Sequence, residues 1–184
     1  MFSRITYRDM AALVEAKEEL QKIRDSKSSS IRESAASVVA ESADDTIIAK
    51  MDRTYIIDVR TPYEVKTYGM IPHALHMPLA VVGHALAQVN AHSEEDEGVD
   101  DEEFQNVFGV EKPKPATHRL VFYCAAGVRS ATAAEIAESL GFSAVANYEG
   151  GFQQWSQECA KELSEEAAAG AGVVTPPPPT PREG

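Results

Sequence analysis

Leu120-Val121-Phe122-Tyr123-Cys124-Ala125-Ala126-Gly127-Val128-Arg129-Ser130 runs from four bulky apolar and aromatic residues into a loop of small ones. An uninterrupted run of this kind reads as a strand buried on both faces, as strands of parallel sheets are. Downstream, Ala133, Ile136, Ala137 and Leu140 recur at helical spacing, and Gly141 follows them as a C-terminal stop. Cys124 therefore falls at a strand-to-helix junction.

The same alternation extends in both directions. Tyr55-Ile56-Ile57-Asp58-Val59 is a second apolar run, broken by one acid and ended by Arg60-Thr61-Pro62. Thr61 can cap a short helix with Pro62 at its first position, and Gly69, Pro72 and Ala74 to Met77 then give a turn and a short strand. A helix is predicted over 81–89. Ala144 to Tyr148 repeats the strand pattern, Gly150-Gly151 turns the chain, and Phe152, Trp155, Cys159 and Leu163 share one face of a last helix. Near the start, Thr6 and Asp9 resemble a capping box for a helix over 7–24. Strand and helix alternation of this kind implies one doubly wound α/β domain over 3–163. Three stretches stand outside it. Residues 26–50 form a serine-rich insertion, 92–103 an acidic loop, and 167–184 a disordered tail in which Pro176 to Pro181 hold five of the ten prolines.

Composition narrows the function. Seventeen Lys and Arg against 29 Asp and Glu leave a formal net charge of −12 over 184 residues, opposite to the basic footprint of a nucleic-acid binder. No apolar run approaches the roughly 18 residues of a membrane-spanning helix, so neither nucleic acid nor membrane is an expected partner. Residues 94–103 carry eight of those acids, which leaves the rest only mildly acidic. The opening residues lack a secretory pattern, and Asp9, Glu15, Glu18 and Glu19 argue against a mitochondrial presequence. Cytoplasm is the expected location, with mitochondria as the alternative. Only two cysteines, Cys124 and Cys159, are present, so a reducing compartment and a free thiol are expected.

At the carboxyl end of a strand, a tight loop can turn successive N–H groups inward, and the next helix adds its positive N-terminal end. Those donors would surround the Cys124 sulfur. A thiol of pKa about 8.5 is roughly 3% thiolate at pH 7, and about 2.7 kcal/mol of stabilisation raises that to roughly three quarters. Cys124 to Arg129 is Cys-x4-Arg, one residue shorter than the Cys-x5-Arg loop with which tyrosine-type phosphatases wrap phosphate. A smaller ring suits a sulfur atom. Ala125 and Ala126 keep the loop small, Gly127 supplies unusual dihedrals, Arg129 can pair with an anion or brace the loop, and Ser130 is expected to cap the helix.

With these residues in view, the sequence resembles the rhodanese family, in particular its single-domain thiosulfate sulfurtransferase-like members. The likeness rests on Ile57-Asp58-Val59-Arg60 with Glu64, on Gly69-Met70-Ile71-Pro72-His73-Ala74, on the Cys124 to Ser130 loop, and on Asn147-Tyr148-Glu149-Gly150-Gly151-Phe152 with Trp155. Phe104 to Pro113 also looks like a connector of that subgroup. The resemblance implies a five-stranded parallel sheet with helices on both faces and Cys124 as catalytic nucleophile. It implies a persulfide on Cys124, loaded from thiosulfate or a persulfide donor and held by the loop from Ala125, Ala126, Gly127 and Val128 to Arg129 and Ser130. Cyanide or a thiol, such as glutathione or a thioredoxin-like protein, would be the acceptor. No metal or organic cofactor is implied.

Thiosulfate-selective members carry basic residues where this chain has Ala125 and Ala126. Only Arg129 and Arg60 could then offset a dianion, so weak thiosulfate affinity and a better persulfide donor are expected. Asp58 and Arg60 are expected to brace the strand end, Glu64 to pair with Arg60, and Cys159 to pack. The five histidines share no ligand spacing with the cysteines, so no metal is assigned. The alternatives are a non-turnover sulfur carrier or regulatory module and, less favoured by the short loop, an arsenate reductase or phosphatase.

Overall fold

The computed structural model describes residues 1–30, 52–88 and 98–170. Its strands are β1 (Ser3–Ile5), β2 (Thr54–Asp58), β3 (Ala74–His76), β4 (Arg119–Tyr123) and β5 (Ala144–Tyr148). They form one sheet in the order β1-β5-β4-β2-β3, with every neighbouring pair parallel. The helices among the described residues are α1 (Tyr7–Ser30), α2 (Pro62–Tyr68), α3 (Leu79–Leu86), α4 (Asp101–Phe108), α5 (Val128–Ser139) and α6 (Gly151–Gly170).

Side-chain alternation along the central strands feeds two cores. Ile57, Val59, Leu120, Phe122 and Val145 pack with Val82 and Leu86 of α3, Phe104 of α4 and Ala133 and Ala137 of α5. Ile56, Val121, Tyr123, Ala146 and Tyr148 face the other way, against Met10, Leu13 and Val14 of α1 and Phe152 and Trp155 of α6. Burial on both faces is why β2 and β4 read as near-continuous apolar runs. The architecture is α/β with helices on both faces of a five-stranded parallel sheet.

One strand is invisible to the pattern. In β1 only Ile5 is buried; Ser3 and Arg4 are exposed, and the segment is a strand because it pairs with Ala146 to Tyr148 at the sheet edge. Ser3 Oγ adds a hydrogen bond to Val145 O at 3.2 Å. The expected cap behind it is present, with the Thr6 amide donating to Asp9 Oδ2 at 2.8 Å and the Asp9 amide to Thr6 Oγ1 at 3.4 Å.

Several helix ends differ from the reading. Helix α1 continues through Ser30 into the first residues of the serine-rich stretch, since serine costs a helix only a few tenths of a kcal/mol. Residues 31–51 lie outside the described residues, as do 89–97 and 171–184. Helix α3 starts at Leu79 and stops at Leu86, where Gln88 Nε2 donates to Leu86 O at 2.9 Å and the buried Lys112 ammonium donates to the carbonyls of Ala87 and Val99. The acidic stretch ends inside a helix rather than in a loop. Asp100 caps α4, accepting from the Glu103 amide at 2.7 Å, and Asp101, Glu102 and Glu103 form its first turn, where the helix dipole favours acids. Helix α6 runs past Glu166, and its face is narrower than the spacing suggests, because Leu163 is exposed.

Topology fixes where chemistry can sit. From β2 the chain moves outward to β3, and from β4 it moves the other way to β5, so the connections after β2 and β4 diverge. The crevice at the carboxyl ends of these two strands is the switch point where open α/β sheets bind ligands. Arg60 leaves one strand there and Cys124 leaves the other.

Candidate active site

Cys124 is free, 2% exposed, and one residue beyond β4. The loop behind it is built by sorting its backbone groups. Its carbonyls are taken from outside: the Phe152 amide donates to Cys124 O at 2.8 Å and the Gln153 amide to Ala125 O at 3.1 Å. Those donors are orphan N–H groups in the first turn of α6, which the loop thereby caps. Their approach leaves no room for a side chain at Gly151, whose φ is +58° and whose hypothetical Cβ would lie 2.5 Å from Ala125 O. Asn147 Nδ2 donates to Gly127 O at 3.1 Å, and Gly127 itself, at φ +81°, lies against the Glu149 backbone, 2.4 Å from a Cβ it does not have.

With the carbonyls turned out, N–H groups turn in. The amides of Ala126, Arg129 and Ser130 favour the charged form of the Cys124 sulfur, and Ser130 Oγ donates to it at 3.5 Å. Burial pushes the thiol up, but these donors outweigh burial and hold its pKa below the ordinary cysteine value. Arg129 and Ser130 lie in the first turn of α5, so the sulfur sits at the N-terminal end of that helix. This corrects the expected role of Ser130. The N-cap is Gly127, which has no side chain to offer, and Ser130 is a wholly buried first-turn residue aimed at the sulfur. Ala126 and Val128 are exposed at the rim of the loop, and Ala125 is half-buried.

Asp58 and Arg60 brace the neighbouring strand end, as the sequence suggested. Arg60 Nη2 lies 2.6 Å from Asp58 Oδ2 and 2.6 Å from Gly69 O, and Nε lies 3.0 Å from Asp58 Oδ1. The guanidinium stacks 4.0 Å from the Phe152 ring centroid. The Tyr123 hydroxyl accepts from the Ile71 amide at 3.1 Å; burial, with the Asp58 charge adding to it, pushes that phenol well above its usual range. The Val59 amide donates to Tyr123 O at 3.0 Å, tying the two strand ends directly. Arg60 is thus buried and held by its own carboxylate.

Glu64 has a different partner from the one expected. Its Oε1 lies 2.6 Å from Arg129 Nη2 and its Oε2 2.7 Å from Arg129 Nη1, a bidentate pair between helices α2 and α5. Spacing of four from Arg60 suggested a helical pair, but Arg60 precedes the helix and its guanidinium turns back onto Asp58. Glu64 also closes the Thr61 capping box, accepting from the Thr61 amide at 3.0 Å. The Arg129 guanidinium holds this carboxyl down to about 2, the Thr61 donors adding to it, so it is charged at every working pH. Arg129 in turn interacts with the Cys124 sulfur.

Cys159 lies in α6 beside Tyr7, half-buried, and burial pushes its thiol up, as suits a packing residue. Asn147 and Lys112 escaped functional notice in the sequence. Asn147 is buried with its Oδ1 unpaired and is the residue that pins Gly127; only its place at the end of an apolar strand hinted at a polar duty. Among the described residues no helix is long and apolar enough to cross a membrane.

A cysteine at the switch point of a doubly wound parallel sheet, with main-chain and hydroxyl donors converging on its sulfur, defines an α/β protein equipped to stabilise a thiolate. The chain belongs to the rhodanese-like domain family, whose model matches residues 35–158. It is 40% identical over 111 residues to a mouse protein, thiosulfate sulfurtransferase/rhodanese-like domain-containing protein 3, covering 60% of this chain and 61% of that one. Human thiosulfate:glutathione sulfurtransferase is 33% identical over 103 residues, covering 56% of this chain and 79% of its own. The mitochondrial thiosulfate sulfurtransferase RDL2 of Saccharomyces cerevisiae (strain ATCC 204508 / S288c) is 37% identical over 100 residues, covering 54% and 58%. This chain thus spans about three fifths of the mouse and yeast relatives.

Proposed function

We propose that this protein is a sulfurtransferase that carries a sulfane sulfur as a persulfide on Cys124. The observation behind this reading is one buried sulfur at a strand-to-helix turn that accepts from the Ser130 hydroxyl, with the loop amides favouring its charged form. The Cys124 thiolate attacks the outer sulfur of thiosulfate, or of another sulfane donor. The donor's S–S bond breaks, sulfite or a thiolate leaves with the electron pair, and Cys124 holds a persulfide. The same donors that stabilise the thiolate then hold the terminal sulfur anion one bond further out. An acceptor thiolate or cyanide attacks that terminal sulfur and releases the Cys124 thiolate unchanged. Glutathione and thioredoxin-like cysteines fit as acceptors, and the human relative is named for transfer to glutathione. A reducing compartment, cytosol or mitochondrial matrix, suits a thiol that must stay free. The test is intact mass after incubation with thiosulfate or glutathione persulfide. A gain of about 32 Da on wild type, absent from Cys124→Ser and lost on adding cyanide or glutathione, supports the reading. A stable adduct that no acceptor removes would replace it with a non-turnover carrier, and no adduct from any donor would end it.

A further inference from the structure

We infer that Glu64 is a specificity-determining residue: by neutralising Arg129 beside the Cys124 loop, it biases the site toward sulfur donors of low charge and against dianions. The inference rests on the sulfur-transfer reading of Cys124 given above. Its ground is the accounting of cations around the switch point. Arg60 is locked on Asp58, 2% exposed, with its Nη2 also donating to Gly69 O. Arg129 is held at two points by Glu64, and the Cys124 sulfur lies within its electrostatic reach. Ala125 and Ala126 contribute no charge. Each arginine of the loop and the adjoining strand end therefore has its own carboxylate, and the attraction left for an incoming anion comes from backbone dipoles.

Glu64 cannot easily yield. Its Oε2 accepts from the Thr61 amide at 3.0 Å and from Thr61 Oγ1 at 2.8 Å, so the carboxylate is pinned to the first turn of α2 as well as to Arg129. Its side chain is 23% exposed and that of Arg129 is 35% exposed. Water reaches both, so Arg129 has no need of a counter-ion for burial's sake. The pair leaves Arg129 positioned but electrically spent. A dianion such as thiosulfate would have to displace Glu64 or bind beside it, whereas an uncharged alkyl trisulfide meets neither obstacle.

Competitive alkylation of the full chain tests this without any sulfur transfer. Iodoacetate and iodoacetamide attack the same thiolate, so the ratio of their rates at Cys124, read by peptide mass, cancels thiol acidity and reports local charge. Glu64→Gln should raise the iodoacetate-to-iodoacetamide ratio about three- to tenfold, the reach of one unit charge in a half-wet site. Arg129→Gln, which leaves the Thr61 cap intact, should lower it by a similar factor. The double variant should return near wild type, and 1 M salt should shrink both changes. In turnover, Glu64→Gln should lower the KM for thiosulfate several-fold more than that for an uncharged trisulfide. Equal slowing of both reagents would make Glu64 a brace alone and overturn the inference, as would an unmoved ratio in Arg129→Gln. If Cys124 never takes up sulfur but the ratios move as stated, the transfer reading fails and the charge assignment stands.

Discussion

Replacing Ser130 by alanine removes the one side-chain hydroxyl on the Cys124 sulfur and leaves its amide donors in place. A hydrogen bond to a charged group contributes about 1.5–3 kcal/mol, and a 3.5 Å contact to a diffuse sulfur falls just below that range, at about 1.4 kcal/mol. That is about tenfold in the thiolate-to-thiol ratio. Nucleophilicity moves the other way, since a thiolate tenfold more basic is about threefold more reactive at a Brønsted slope near 0.45. The two effects separate on a pH profile of iodoacetamide alkylation at Cys124. Below the midpoint the variant should react about threefold more slowly; above it, where both proteins are fully ionised, about threefold faster. The curves therefore cross, and the midpoint moves up. Cys159 does not interfere, because its own thiol is pushed up by burial and its peptide is resolved by mass. Profiles that fall together at every pH would mean that Ser130 only fills space. An unchanged midpoint would mean that the amides alone set the acidity.

Arg60→Met should cost about 3–5 kcal/mol in urea unfolding, since it strands the Asp58 carboxylate in a buried site, and the double variant with Asp58→Leu should recover most of it. Gly127→Ala should cost at least about 2 kcal/mol from its positive φ and the Glu149 backbone in its way, and should slow Cys124 alkylation together with stability. Glu64 has its folded pKa depressed, so the contribution of its pair to stability is present above the unfolded value and is lost as pH falls through about 2. Wild type should therefore lose stability relative to Glu64→Gln on acid titration below about pH 4.5, seen as converging thermal midpoints.

The legible part of this fold is the part whose signal is local. Leu120 to Phe122 and Ile56-Ile57 announce buried parallel strands because both faces meet helices, and the Cys124 loop stands out because small residues must follow such a strand before a helix can start. Strand β1 is illegible for the opposite reason. Its three residues bury one side chain, and nothing short of the β5 edge beside it makes them a strand. Glu64 is misread on the same principle. A spacing of four makes Arg60 a neighbour in a helix, but Arg60 lies outside α2, and the partner of Glu64 is Arg129, 65 residues away on α5. Ser130 fails more subtly: a serine near a helix start reads as a cap, and only the position of Gly127 shows the helix beginning three residues earlier.

These errors share a physical origin that bears on the chemistry. The site's charges are arranged in pairs that cancel, Asp58 with Arg60 and Glu64 with Arg129, and such pairs are set by tertiary contact rather than by sequence distance. What remains to polarise the sulfur is the Ser130 hydroxyl and the backbone, whose groups are fixed by strand ends, by one left-handed glycine, and by a helix that accepts the loop as its cap. In the proposed transfer, backbone donors would cost nothing to reorient as charge moved from the thiolate to a persulfide one bond outward, and they carry no net charge that an uncharged donor would have to displace. A loop of this kind can therefore tolerate alanine at both 125 and 126 without losing the acidity of its cysteine. The side chains missing there affect which donor is attracted, whereas the donors that remain determine whether the thiol is reactive at all. Replacing Ala125 and Ala126 by lysine should on this argument lower the KM for thiosulfate at low salt while leaving the pH midpoint of iodoacetamide alkylation within about half a unit of wild type, because flexible, exposed cations are screened within about 8 Å.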